Sequence, residues 1–304
     1  MHNREVVSGT RRVPSGHCMK PSKRILRNVI SDAMGVNAAN KLVWAPDLPI
    51  VYVDNPKCGS TTIKNTLKHA QANLFEARGC KYRLRDDPHK ADDCLRQRGL
   101  RLNDCRHRYV ISCVRNPFTR ALSGFLDKVA TRDPRYFPEL RSRPVETFEE
   151  HLLALAEYPA KRLNFHFRPQ FLNLDFPNLI YDAVFYLEHL AVFSDFCRKV
   201  APQLTLETYA PHARASRSKL HEHYSERAVD IVRSIYAEDF RLFGYNTDLE
   251  ETDRLPGLCI IANRIVPEGT DIETAIGSEP ANAAVPPTYE AIVRYHRLVE
   301  MLTL

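Results

Sequence analysis

One stretch constrains this chain more than any other. Ile50-Val51-Tyr52-Val53-Asp54 is a short β-branched and aromatic run that reads as a buried strand. It leads directly into Asn55-Pro56-Lys57-Cys58-Gly59-Ser60-Thr61-Thr62. A helix is predicted next, because Ile63, Leu67, Ala70 and Leu74 recur on one helical face. A strand, a loop with a Lys, a Gly and three hydroxyl residues, and then a helix make a phosphate cradle. N–H groups at the helix start point at the anion, the macrodipole favours it, and Gly59 allows close backbone approach. Lys57 adds a point charge. The loop is not a Walker A sequence, in which Lys follows the second Gly; here Lys57 precedes Gly59. The alternative is an ordinary strand–turn–helix connection with capping hydroxyls.

A second unit of the same kind follows. Tyr109-Val110-Ile111-Ser112-Cys113-Val114 reads as a strand ending at Arg115-Asn116-Pro117-Phe118-Thr119-Arg120. The predicted helix beyond it carries Phe118, Leu122, Phe125 and Val129 on one face. Arg115 at the strand end and Ser123 two helical turns later can meet a second phosphate. Arg120 and Lys128 are read as solvated helix charges. A third strand is predicted at Ala183-Val184-Phe185-Tyr186-Leu187, with helices at 147–157, 189–200 and 225–243, the last capped by Ser225 and ended by Gly244. Alternating strands and helices imply a parallel sheet covered on both faces, with ligands beyond the carboxyl ends of the strands. Both phosphate-type loops then open on one cleft.

Composition narrows the ligand class. The 304 residues carry a net charge of +6, but residues 250–304 are acidic, so the remainder is more strongly basic. A basic body suits nucleotide phosphates, acidic glycans, nucleic acid or a membrane surface. No apolar run approaches the ~20 residues of a membrane-spanning helix, and no secretory signal pattern is present. The eight cysteines form no CxxC pair and no zinc-type cluster. Cys80, Cys94 and Cys105 share one polar segment and can pair in an oxidising compartment; reduced thiols in a cytoplasmic enzyme are the other reading. Residues 76–107 read as an insertion at the edge of the core. No RNA-binding signature is present.

Pro56-Lys57-Cys58-Gly59-Ser60-Thr61-Thr62 resembles the 5′-phosphosulfate loop of sulfotransferases that use 3′-phosphoadenosine 5′-phosphosulfate (PAPS). Arg115-Asn116-Pro117-Phe118-Thr119-Arg120-Ala121-Leu122-Ser123 resembles their 3′-phosphate motif. Phe165-His166-Phe167-Arg168-Pro169-Gln170, Tyr181 to Glu188 and Ile235 to Tyr245 are similar to the carbohydrate branch, of chondroitin and dermatan 4-O-sulfotransferase type, with its soluble bacterial relatives. The resemblance implies an α/β, P-loop-NTPase-like three-layer fold with a central parallel sheet flanked by helices. It covers about residues 50–246, so a sulfotransferase domain is expected over 46–249; composition reads residues 1–45 as a basic N-terminal arm and 250–304 as an acidic, Pro-containing tail or small accessory lobe.

The implied reaction is sulfuryl transfer from PAPS to a hydroxyl of a carbohydrate or glycolipid, with no metal required, no nucleic-acid partner and no transmembrane segment. The expected location is cytoplasmic, or the Golgi lumen if the chain is an anchor-less fragment. Lys57 is expected to stabilise the leaving 5′-phosphate, with Cys58, Gly59, Ser60, Thr61 and Thr62 around the phosphosulfate and Arg115 and Ser123 on the 3′-phosphate. Arg217, from the basic segment Pro211 to Lys219 that also holds His212 and Arg214, is expected to close over that phosphate. His166 is the expected general base, as imidazole titrates near neutral pH. Glu188 is the reserve, and Arg168 is a candidate for an anionic acceptor. Competing readings are a nucleotide-dependent small-molecule kinase and a non-catalytic nucleotide-binding module.

Overall fold

The computed structural model describes residues 42–97, 108–130, 145–176, 181–202, 204, 219–261 and 263–270. Among the described residues, seven strands form one sheet: β1 (Leu42–Trp44), β2 (Ile50–Val53), β3 (Arg96–Gln97), β4 (Tyr109–Val114), β5 (Ala183–Tyr186), β6 (Cys259–Ile261) and β7 (Arg264–Val266), in the order β3-β1-β2-β4-β5-β6-β7. Only β2, β4 and β5 run parallel, with Val51 beside Val110 and Cys113 beside Phe185. The outer strands pair antiparallel, so the sheet is mixed rather than wholly parallel.

Strand side chains alternate between the two faces, as the two-residue period requires. Ile50, Tyr52, Ile111, Cys113 and Phe185 enter one core with Ile63, Leu67 and Ala70 of α1 (Ser60–Ala77). Val51, Val53, Val110, Val114 and Val184 enter the other with Phe118, Leu122, Phe125 and Val129. Those four residues lie on α2 (Pro117–Gly124) and the π-helical turn Phe125–Val129 that continues it. Phe148, Leu152 and Leu155 join that core from α3 (Phe148–Ala156), whose Thr147 and Glu150 form a reciprocal capping box. The short α4 (Gln170–Leu174) follows, and α5 (Leu190–Val200) covers the first face with Val192, Phe193 and Phe196. Beyond α6 (Leu220–His223), two further helices, α7 (Glu226–Ile235) and α8 (Ala237–Phe243), return to the second face. Helices on both faces of a sheet make the three layers.

Several expectations are corrected. The long helix over 225–243 is two helices, because the chain leaves helical geometry at Tyr236, whose hydroxyl donates to the Phe167 carbonyl at 2.7 Å. Leu42–Trp44, before the expected domain start at 46, and β6 and β7, within the expected tail, are strands of the same sheet. Arg120 is not a solvated helix charge. It is almost wholly buried, and Lys128 lies half-buried against Asp127 at 3.0 Å. Cys80 and Cys94 are free thiols; Cys105 and the segment holding His212, Arg214 and Arg217 lie outside the described residues. Among the described residues, no helix is long and apolar enough to cross a membrane.

Candidate active site

The carboxyl ends of β2, β4 and β5 lie side by side, and the three loops that leave them are tied together by buried polar groups. Lys57 and Gly59, either side of Cys58, both adopt left-handed backbone, with φ of 69° and 77°. Such a conformation costs a non-glycine residue ~1–3 kcal/mol and persists where its surroundings enforce it. At Gly59 a Cβ would also lie 2.7 Å from Leu187 Cδ1, so the close approach this glycine permits is to the loop after β5. The α1 helix has no side-chain cap at its N-terminus. Ser60 Oγ, in its first turn, is buried and lacks a hydrogen-bond partner among the described residues. An uncapped 18-residue helix with an orphaned hydroxyl in its first turn fits an anion that supplies the missing acceptors.

The two loops touch directly. Arg115 Nη1 donates to the Lys57 carbonyl at 3.3 Å, and its Nε donates to Thr119 Oγ1 at 2.9 Å. Burial pulls the Arg115 pKa down, opposed chiefly by Glu188. Ser123 lies on α2, nearly buried. Lys57 Nζ stands 3.1 Å from Asp127 on the π-turn, and burial lowers its pKa despite Asp127, with Arg115 and Lys128 acting in the same direction as burial. The extra residue of a π-turn re-aims side chains and is common at functional sites; here it brings Asp127 and Lys128 to Lys57.

Arg120 is the brace beneath. Its guanidinium donates to the carbonyls of Pro56 (3.2 Å), Arg168 (3.0 Å) and Phe165 (3.3 Å), joining the Lys57 loop to the segment that carries His166. Gln170 is the second brace. Its Oε1 accepts from Asn55 Nδ2 (3.2 Å), Cys58 Sγ (3.0 Å) and the Arg115 N–H (2.9 Å). Asp239 holds the start of α4 in turn, accepting the N–H groups of Gln170 and Phe171 at 2.8 and 2.9 Å. The break at Tyr236 starts a new helix, and Asp239 lies in its first turn.

His166 is partly buried beside Lys57, Lys128 and Arg120. Asn164 Oδ1 accepts both the His166 backbone N–H (3.0 Å) and Nδ1 (2.9 Å). An oxygen that accepts the backbone N–H obliges Nδ1 to carry the ring proton, which leaves the Nε2 lone pair in the neutral ring. Burial first, then Lys128, Lys57 and Arg120, push the His166 pKa down to about 3. Glu188 is otherwise engaged: Oε1 accepts the Asn116 N–H at 2.8 Å and Oε2 the Tyr245 hydroxyl at 3.0 Å, while burial raises its pKa.

The model of the sulfotransferase family matches residues 40–246, more than half of the chain. The chain belongs to the sulfotransferase family. No curated protein and no solved structure matches it. The mixed α/β sheet, with its phosphate-type loop between β2 and α1, is the P-loop-like fold of that family, and its chemistry is sulfuryl transfer to an acceptor.

Within this sulfotransferase, Lys57, Cys58 and Arg115 form one contact network through hydrogen bonds and Gln170, with Gly59 set close to Leu187, and Glu188 joins it through Asn116. His166 joins it through Arg120, which binds the carbonyls on either side of the segment. Cys58 faces inward: its thiol is buried, burial raises its pKa to about 12, and it acts as a donor to Gln170. Thr61 faces outward to His89, and Thr62 accepts Thr66 Oγ1 on its carbonyl at 2.9 Å. Arg168 turns its Nε to the Leu163 carbonyl at 3.1 Å. Sequence reasoning did not single out Gln170, Asn55, Asp127, Asp239 or His89. Gln170 had the clearest signal, at the end of the polar-aromatic stretch 164–170; Asn55 and Asp239 lay inside quoted stretches without a role, and Asp127 and His89 gave none.

Proposed function

We propose that this sulfotransferase takes its sulfuryl group from PAPS and passes it to a hydroxyl of a carbohydrate or glycolipid. The observation that carries the donor reading is the contact between the two strand-end loops, with Arg115 Nη1 on the Lys57 carbonyl at 3.3 Å and the orphaned Ser60 hydroxyl beside them. Two cations in the loops that leave adjacent parallel strands, next to an uncapped helix, suit a ligand with two separate anionic groups.

PAPS, when bound, supplies a sulfuryl group already activated by its link to a 5′-phosphate. The protein's part is positioning and charge stabilisation, as in phosphoryl transfer. The α1 N-terminus with the Ser60 and Thr61 hydroxyls holds the 5′-phosphosulfate. Lys57 neutralises charge that develops on the leaving oxygen. Arg115 and Ser123 hold the 3′-phosphate, with Arg217 assigned to the same group from the sequence alone. His166 takes the acceptor proton at Nε2, and Asn164 holds the ring for it. Glu188, with both oxygens already accepting hydrogen bonds, positions Asn116 and the Arg115 loop. The exposed Phe165 ring lies 4.2 Å from the His166 ring and offers an apolar platform for a sugar face at the acceptor side. Free thiols at Cys80 and Cys94 support a cytoplasmic setting.

A thermal-shift titration tests the donor assignment. Adenosine 3′,5′-bisphosphate should raise the melting temperature progressively as its concentration rises, and ATP should not. Equal shifts with both, or a shift with ATP alone, would turn the reading toward a nucleotide kinase. Sulfate transfer from radiolabelled PAPS onto a panel of oligosaccharides and glycolipids then tests the acceptor class; labelling of none of them, with labelling of a phenol or steroid instead, would refute it.

A further inference from the structure

We propose that His89 is a positioning residue of the donor site, one that fixes the direction of the Thr61 hydroxyl. The proposal rests on the donor reading above and adds to it a residue from the insertion that precedes β4.

The insertion is anchored firmly enough to place a side chain. Lys68 of α1 and Asp92 form an ion pair at 2.9 Å with both side chains essentially buried. Lys68 also donates to the Arg85 carbonyl, and the Asp92 carboxylate accepts the N–H groups of Arg85 (3.0 Å), Cys94 (2.9 Å) and Leu95 (2.7 Å). The segment then pairs with the sheet through β3.

All four polar groups of His89 are engaged. Its N–H donates to Asp87 Oδ1 at 2.9 Å, and its carbonyl accepts from Gln97 Nε2 at 2.8 Å. Its Nδ1 lies 3.2 Å from Lys64 Nζ, and its Nε2 lies 3.2 Å from Thr61 Oγ1. An ammonium only donates, so Nδ1 accepts and the ring proton sits on Nε2. Nε2–H therefore donates to Thr61 Oγ1. The Thr61 hydroxyl cannot return its own proton to His89, so that proton is left for another acceptor. Thr61 lies in the first turn of α1, where the phosphosulfate is assigned, and its hydroxyl is thereby set as a donor to the anion. Lys64 is held in turn by Asp54 at 2.6 Å. The charged groups facing the ring are Lys64, Asp54, Asp87 and Lys128; burial and Lys64 hold the His89 pKa below the ordinary histidine value, which keeps the single-proton form at neutral pH.

Calorimetric titration with adenosine 3′,5′-bisphosphate tests this on the wild type, His89→Ala, His89→Gln, Thr61→Ala and the His89→Ala/Thr61→Ala double variant. Losing one oriented donor should weaken binding roughly three- to tenfold in His89→Ala. His89→Gln, whose amide can accept from Lys64 and donate to Thr61, should stay within about twofold of wild type. The double variant should bind no more weakly than Thr61→Ala, because His89 acts through Thr61. Wild-type affinity in His89→Ala, full additivity in the double variant, or a loss in His89→Gln equal to that of His89→Ala would each overturn the proposal while leaving the donor site in place. Failure of the wild type to bind would instead overturn the donor reading, and this proposal with it.

Discussion

The side-chain amide of Gln170 grips both backbone groups of Arg115: Oε1 accepts its N–H at 2.9 Å and Nε2 donates to its carbonyl at 2.8 Å. One buried amide thereby completes the hydrogen bonding of the chain where β4 has ended, and the same oxygen reaches Cys58 in the neighbouring loop. Gln170→Ala should strand several buried donors and acceptors at once, at ~1–3 kcal/mol each. The expected result is a loss of about 3 kcal/mol or more in urea unfolding, with weaker binding of adenosine 3′,5′-bisphosphate. Less than ~1 kcal/mol would mean that the loops hold their shape without it.

Lys57 pairs with Asp127 and belongs to neither apolar core, so its removal should separate chemistry from folding. Lys57→Ala should lower turnover by roughly 10²–10³-fold, as loss of a single charge-stabilising group does, with a melting temperature close to that of the wild type. Near-normal turnover under saturating PAPS would remove Lys57 from the reaction.

For the base, His166→Ala should cost turnover roughly 10²–10⁴-fold while nucleotide affinity holds, whereas Glu188→Gln should act mainly through stability or nucleotide binding. The pH dependence carries its own sign. A base works in its neutral form, and burial holds the His166 pKa down at about 3. Turnover should therefore stay level as pH falls through the ordinary histidine range near 6.5. An acid limb centred there that vanishes in His166→Ala would contradict the buried setting of the ring.

His151 of α3 is almost fully buried against Phe125 and Phe167, and neither ring nitrogen has a hydrogen-bond partner among the described residues. Burial lowers its pKa to about 3. The unfolded chain takes up this proton below ~6.5 and the folded chain does not, so its contribution to stability is complete above that pH and is lost as pH falls toward 3. His151→Phe should reduce the stability lost between pH 7 and pH 5 by ~2 kcal/mol, read by chemical denaturation at the two pH values. An unchanged loss would show that the ring is hydrated or paired in solution.

What the sequence alone determined is local. The β-branched runs at 50–53, 109–114 and 183–186 are strands, and the helices of 60–77 and 117–124 follow the first two, because side-chain period and turn chemistry act over a few residues. The same rules marked the Lys57 loop and the Arg115 loop as candidate anion sites, since each is one contiguous strand–loop–helix unit. Contacts across the fold decided the rest. Arg120 looked like a solvated helix charge because its three carbonyl partners lie in two other loops, 45 to 64 residues away. Gln170 and Asp239 are 69 residues apart and meet only because the helix breaks at Tyr236. β6 and β7 join the sheet through a hydrogen-bond edge offered by β5, which local composition does not record. Periodicity reports which face of an element is apolar; which buried donor finds which acceptor depends on how the elements pack.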